Sequence, residues 1–419
     1  LTLRRFCFRL GWLVLIGLAL IAAGTNLWAW HHYRQADRLQ ERYHFSQAYA
    51  HYAQAVQVWR WSAALHLKTA RTARRAGLYP EAEHHLAECQ RLQGGAEDAS
   101  LPLALERLLL LAQSGDIAEV EGALWQYVEQ NKPQTPLVLE ALARGYARVL
   151  RLSLAMNCLR RLLEREPNNV EALVTAGKII EQGGGEMEDA LKYYRLALEL
   201  DAERDDARLN LAQILLRDRP EEARAHFEYL LARQPDNAAV MLGLGQAQRI
   251  LNETDRACQL LEAVLAKEPE NAQALTELGR IALQAGKITE AEKLFRNAIA
   301  SDPANRDAHY RLYQCLVQQP GKEPEAAQQI AACERVEADL ARLGTIASKE
   351  MSRTPNDPQL YYEVGMFYLR YGKPDVGVRW LYRALKLNPA HQPSHQALAD
   401  YFQRIGEREK AEQHRLQLR

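Results

Sequence analysis

Residues 238–271 read AAVMLGLGQAQRILNETDRACQLLEAVLAKEPEN, and residues 272–305 read AQALTELGRIALQAGKITEAEKLFRNAIASDPAN. Set one above the other, they match in kind at nearly every apolar position. Both carry Leu-Gly at the seventh and eighth places (Leu244-Gly245, Leu278-Gly279), Ala at the twentieth (Ala257, Ala291) and a bulky residue at the twenty-fourth (Leu261, Phe295). Pro269 and Pro303 close them, 34 residues apart. The apolar spacing is that of two helices per unit. Gly at the eighth place and Ala at the twentieth are where two antiparallel helices would cross, because small side chains permit close approach. Gly286 and Gly372 fall between the helices, where a left-handed residue ends the first one. The closing Pro stops the second.

Sliding this frame along the chain finds further copies. Residues 358–391 keep Tyr361, Val364-Gly365, Tyr368, Gly372, Leu381, Ala384 and Pro389. Residues 136–169 keep Leu142, Tyr146, Ala155, Leu159 and Pro167. Residues 170–204 keep Gly177, Ala190, Tyr194 and Ala197, with one residue added at Gly183-Gly184-Gly185; residues 205–237 lose one there and keep Ala223, Phe227 and Pro235. Residues 29–62, 63–96 and 101–134 are degenerate copies, and 392–419 is an incomplete last one around Leu398, Phe402, Gly406 and Ala411.

The pattern resembles the tetratricopeptide repeat family. That resemblance covers nearly everything after residue 30 and implies an all-α, right-handed solenoid of about ten helical pairs. One departure stands out. Between Pro303 and Pro355 lie 52 residues, 18 more than a period, and the excess falls in 325–351. With no Pro and only Gly344 inside, it reads as a lengthened second helix or a helix pair projecting beyond the stack.

Composition narrows function mainly by exclusion. Lys plus Arg and Asp plus Glu both total 53, so no global field draws the chain to nucleic acid. Cys7, Cys89, Cys158, Cys258, Cys315 and Cys333 form no C-x-x-C pair and read as small apolar fillers. No P-loop, Rossmann glycine pattern, G-x-S-x-G or H-E-x-x-H is present, which argues against an enzyme and against a cofactor, metal or small-molecule substrate. His84-His85 point about 100° apart on a helix. His391 and His395 fall in an inter-repeat connection and read as surface residues.

At the amino end, residues 10–30 (LGWLVLIGLALIAAGTNLWAW) carry no charge and would reach across the ~30 Å of a bilayer core. Trp12 lies at one end and Trp28, Trp30 and Tyr33 at the other. Arg4, Arg5 and Arg9 precede the stretch; Asp37 and Glu41 interleave with Arg34, Arg38 and Arg42 after it. The stretch reads as a single anchor in a bacterial-type membrane, uncleaved, with the repeats extracytoplasmic; the alternatives are a cleaved signal peptide with its exit at Ile21-Ala22-Ala23 and a buried core helix, against which the lack of a polar stripe beyond Thr25 and Asn26 argues. The chain divides into a basic tail (1–9), the apolar span (10–30), degenerate repeats (31–135), regular repeats (136–305), a repeat with a helical insertion (306–357) and C-terminal repeats (358–419).

In the family the first helix of each repeat lines the concave face, with its fifth, ninth, twelfth and thirteenth places turned into the groove. Carried over by position, the resemblance implies a partner-binding row of Arg144, Arg148, Lys178, Gln213, Arg217, Gln246, Arg249, Arg280, Gln284, Gln314, Tyr362, Met366 and Arg370. Mostly basic or amide, such a row suits an acidic, extended peptide bound by charge-assisted hydrogen bonds, unless Glu140, Glu171, Glu181 and Glu277 offset it. The chaperone-type carboxylate clamp, Lys at the fifth place with Asn at the ninth, is absent. The expected function is a membrane-anchored scaffold that docks protein partners and assists assembly of a complex. The alternatives are a permanent accessory subunit of a membrane enzyme and, third, an enzyme in its own right.

Overall fold

The computed structural model describes residues 2–94 and 101–418, with side chains from Leu15 onward. It is an all-α solenoid built of two units. Unit 1 comprises Leu1–Val149 with Asn157–Ala172, and unit 2 comprises Leu150–Met156 with Leu173–Arg419. Each unit is a succession of helix pairs whose members pack side by side.

Within unit 2 the two quoted copies fold as Ala238–Ile250 with Thr254–Lys267, and Ala272–Gln284 with Ile288–Ser301. Each pair opens on a cap. Asn237, Asn271 and Asn305 stand two residues after a closing Pro, and their side-chain oxygens accept from Ala239, Ala274 and Ala308 amides at 3.1, 2.9 and 3.0 Å. Asp357 does the same for Gln359. Such caps satisfy amides that the first helical turn leaves open. The turn between paired helices falls on a residue of positive φ: Gly286 at 74°, Gly372 at 77° and Asn252 at 62°. The residue added at Gly183 is absorbed in a π-turn, Ile180–Gly184, with Gly183 at φ 107°.

The crossing of paired helices is built as the spacing predicts. A Cβ placed on Gly279 would lie 2.6 Å from the Phe295 ring, on Gly365 2.9 Å from Leu381, and on Gly177 2.5 Å from the Tyr194 ring. The eighth place is thus empty so that the twenty-fourth can fill it. Phe295, Tyr194 and Leu381 are completely buried there. Residues 392–419, expected to be an incomplete copy, contain a full pair, Gln392–Arg404 with Arg408–Leu416.

The lengthened copy is also resolved in kind. Its second helix runs Glu323–Thr345, turns once in π form over Ile346–Glu350 and ends at Met351–Arg353. It is one helical rod and not a pair. Its end does not project: Ile346 and Met351 are buried in a cluster with Leu360, Val364 and Trp380.

In unit 1 the amino-terminal helix, Thr2–Glu41, runs without interruption through the stretch expected to span a bilayer. Among the described residues no helix is long and apolar enough to cross a membrane. The single-pass anchor over 10–30, its bilayer contact and the extracytoplasmic placement of the repeats are therefore corrected. The basic tail 1–9 and residues 10–14 lie outside the described side chains. From there on the reason is visible: the helix doubles as the first member of a pair with Phe45–Val58. Ala29 and Ala36 are fully buried, and Asn26 accepts a hydrogen bond from the Trp59 indole at 2.8 Å. Turns that pack against protein and carry a bonded amide are lost to an apolar span.

Cys89, Cys158, Cys315 and Cys333 are buried as expected of fillers, whereas Cys258 is only partly so. Burial pushes the Cys315 thiol up to about 11.

Candidate partner-binding groove

The first helices of successive pairs carry twelve of the thirteen residues singled out from the sequence, Arg217 falling in the turn after Asp205–Leu215, and in each unit ion pairs tie these helices into a row. In unit 1, Arg75 holds Glu140 through two bonds of 3.0 and 2.6 Å, and Arg144 bonds Glu171 and the Arg75 carbonyl. Burial alone would raise the Glu140 carboxyl, but Arg75 and then Arg144 outweigh it and hold it at about 2. Arg148 is exposed, its guanidinium 5.2 Å from the Tyr79 ring centre.

In unit 2 the same device recurs. Lys178 reaches Asp206 at 3.3 Å; Arg249 bonds Glu277, which also accepts from Gln246 at 3.4 Å; Arg280 reaches Asp307 at 2.8 Å. Gln314 accepts from Arg311 at 3.0 Å, and Arg370 bonds Asp339. A base at the ninth or twelfth place thus meets an acid 27 or 28 residues on, as the pairs 144/171, 178/206, 249/277 and 280/307 show. Periodicity in charge could have revealed this from the sequence, since the acids sit at the second or sixth place of the following copy.

Within each unit these helices are tied together, but much of the charge they carry is already used. Arg144, Arg249 and Arg280 are neutralised by the chain's own carboxylates in largely desolvated pairs, which are not a free cationic surface, whereas Arg370 makes a more exposed pair with Asp339. The more open polar groups of the row are Gln213, Gln284, Arg148 beside the Tyr79 ring, and Arg217, whose side chain is 91% exposed and only loosely paired with Asp218 at 3.8 Å. Lys178 is half exposed and its ion pair is a weak surface one. Tyr362 and Met366 line a cavity of about 220 Å³ whose floor includes Leu343, Ile346 and Phe367.

Two features were not foreseen. The first is a buried charge network in unit 1: Glu106 accepts from Arg71 at 2.5 Å and from Arg74 at 3.0 Å, and Arg74 donates to Gln113 at 3.1 Å. Degenerate copies offer no consensus against which such residues would stand out. The second is a series of histidine pairs between the fourth place of a first helix and the twenty-third of its partner. The Nδ1 atoms of His32 and His51, His66 and His85, and His395 and His414 lie 2.8, 3.1 and 3.0 Å apart. His395 is buried, which corrects its reading as a surface residue.

Geometry fixes the tautomers of two pairs. Nε2 of His66 and of His395 points at a carbonyl six residues back, Arg60 and Pro389, at 3.2 and 2.9 Å. That nitrogen must carry the proton, so Nδ1 accepts and the partner, His85 or His414, donates from its own Nδ1. Burial first, then His66 and His84, push His85 down to about 4, with Glu88 opposing; Tyr49 is the other ring facing it. A depressed base is stabilising above its unfolded value near 6.5 and loses that contribution as pH falls. The His85 pair should cost about 2 kcal/mol of stability between about pH 7.5 and 5. Urea denaturation at the two pH values tests this, and His85→Gln should flatten the difference.

Comparison with known proteins agrees with the repeat. Residues 140–205, and residues 215–276, 249–296 and 282–343, match models described as tetratricopeptide repeat. The chain carries tetratricopeptide repeats. No curated protein matches it. Among solved structures, the MamA protein is 22% identical with a TM-score of 0.36, over 41% of this chain and 93% of that one. A human IFIT1 dimer with m7Gppp-AAAA is 16% identical with a TM-score of 0.41, over 84% and 88%. PilW, a type IV pilus biogenesis factor, is 21% identical with a TM-score of 0.40, over 54% and 99%.

Proposed function

We propose that the chain is a protein-docking scaffold that takes an extended segment of a partner along the first helices of unit 2 and so assists assembly of a complex. A repeat fold of this kind is ordinarily a non-catalytic scaffold. The observation that carries the reading is the row itself: successive first helices, cross-linked by their own ion pairs, leave Gln213, Arg217 and Gln284 exposed, and further along unit 2 Tyr362 and Met366 line a cavity with both apolar and charged walls. Open amides suit a peptide backbone, a cavity suits one apolar side chain, and Arg217 suits a carboxylate. The neutralised arginines set the spacing of the helices; they do not contribute a continuous basic track.

Affinity capture followed by mass spectrometry tests this with Lys178→Glu and Arg217→Glu combined. Both residues are exposed, so the melting temperature should stay within about 2 °C of the parent, as surface changes of this kind cost little. Recovery of the docked partner should fall about tenfold, the loss expected from one charge-assisted hydrogen bond. Equal recovery from parent and variant would place binding elsewhere.

A further inference from the structure

Two π-turns of unit 2, far apart in sequence, touch each other: Ile180–Gly184 and Ile346–Glu350. Beside them, the Ser153 hydroxyl donates to the Ser348 carbonyl at 2.9 Å, and Leu150 packs on the cluster that contains Ile346 and Met351. Both contacts join the carboxyl-terminal turns of the long helix to the segment Leu150–Met156. Second helices elsewhere in unit 2, such as Ile288–Ser301, are 14 residues long, apart from the last, Arg408–Leu416, which has 9. A helix of that length begun at Glu323 would stop near Val336, short of every residue in these contacts.

Leu150 supplies an independent observation. It occupies the turn between paired helices with φ at 58°. The equivalent place is taken by Gly77, Gly115, Gly286, Gly372 and Gly406, by Asn252, and in the degenerate first copy by Tyr43, all at positive φ. Glycine and asparagine tolerate that conformation, whereas leucine crowds its own carbonyl. A leucine held there needs a compensating contact, and the apolar cluster around Ile346 and Met351 provides it.

We propose that the helix starting at Glu323 is a strap that closes unit 2 on itself, its extra turns seating Ile346–Met351 against Leu150, Ser153 and the turn at 180–184. The 18 residues by which this copy exceeds the period are then the length needed to make that closure. A unit closed in this way presents a partner with a preset curvature, which lowers the ordering cost of binding. Release of the strap is the step by which that curvature would change.

The test is hydrogen exchange on the full chain carrying Leu150→Gly. Glycine suits the turn, so the local fold keeps its geometry while the apolar contact is lost. Amides of 344–354 and 179–185 should exchange about tenfold faster, with those of Ile288–Ser301 unchanged. Leu150→Asn should behave like the glycine variant, and Leu150→Met should stay near the parent. Unaltered exchange over 344–354 would overturn the strap, as would faster exchange spread evenly over all of unit 2.

Discussion

Replacing Glu106 by Ala should cost about 3–5 kcal/mol, because it leaves a buried guanidinium without its carboxylate. Arg74 and Glu106 are each only 1% exposed in their side chains, and the bond between them measures 3.0 Å. Burial by itself would raise the Glu106 carboxyl; Arg74 and then Arg71 more than reverse that and hold it below the usual carboxylate range. Arg74 Nη2 has no partner among the described residues, so the network has no spare acceptor to take over. Its loss is therefore close to that of a lone buried charge. Stability in a repeat array is passed between neighbours, so the damage should centre on Ala63–Arg75 and Leu101–Ser114. Exchange protection in those helices, with the urea midpoint, reads the effect. Pairing Arg74→Met with Glu106→Leu should recover most of it, since removing both charges removes the desolvation penalty too.

The second large effect is expected at a crossing. Gly279→Leu should cost about 3 kcal/mol, at the upper end of what overpacking a filled core usually takes. A single Cβ there already lies 2.6 Å from the Phe295 ring, which is fully buried and has nowhere to retreat. Thermal unfolding read by circular dichroism would show a lowered midpoint. Gly279→Ala with Phe295→Leu should be milder than Gly279→Ala alone, because the smaller side chain gives back the room that the methyl takes. The reverse order would mean that Phe295 is not what the glycine accommodates.

Both predictions rest on contacts between helices, yet they differ in how far the sequence announced them. Gly279 and Phe295 stand at fixed places in a repeating frame, and a glycine recurring opposite a bulky residue has one physical reason, the close approach of two rods. Nothing comparable marks Glu106. Its copy is degenerate, and a glutamate on a helix reads as solvated until its neighbours are known. The long helix was legible as an excess over the period, but whether it projected or packed was not. Length alone says how far a helix reaches, and only Leu150 and Ser153 say where it lands.

The apolar amino-terminal stretch went wrong for a related reason. Hydropathy is a property of a segment, whereas Ala29, Ala36 and Asn26 are committed by what the segment packs against. In the same way, whether neighbouring acids offset the row from Arg144 to Arg370 is open in the sequence and is decided by pairing: Arg144, Arg249, Arg280 and Arg370 each meet an acid from another helix. The sequence by itself determined the all-α fold, the 34-residue period, the turns and the crossings, since these depend on residues close in the chain and repeated along it. Tertiary structure alone decided which charges remain open, which histidines are clasped together and where the long helix ends. Those depend on pairings across repeats, where burial changes what a charge, an imidazole or a leucine at positive φ is worth.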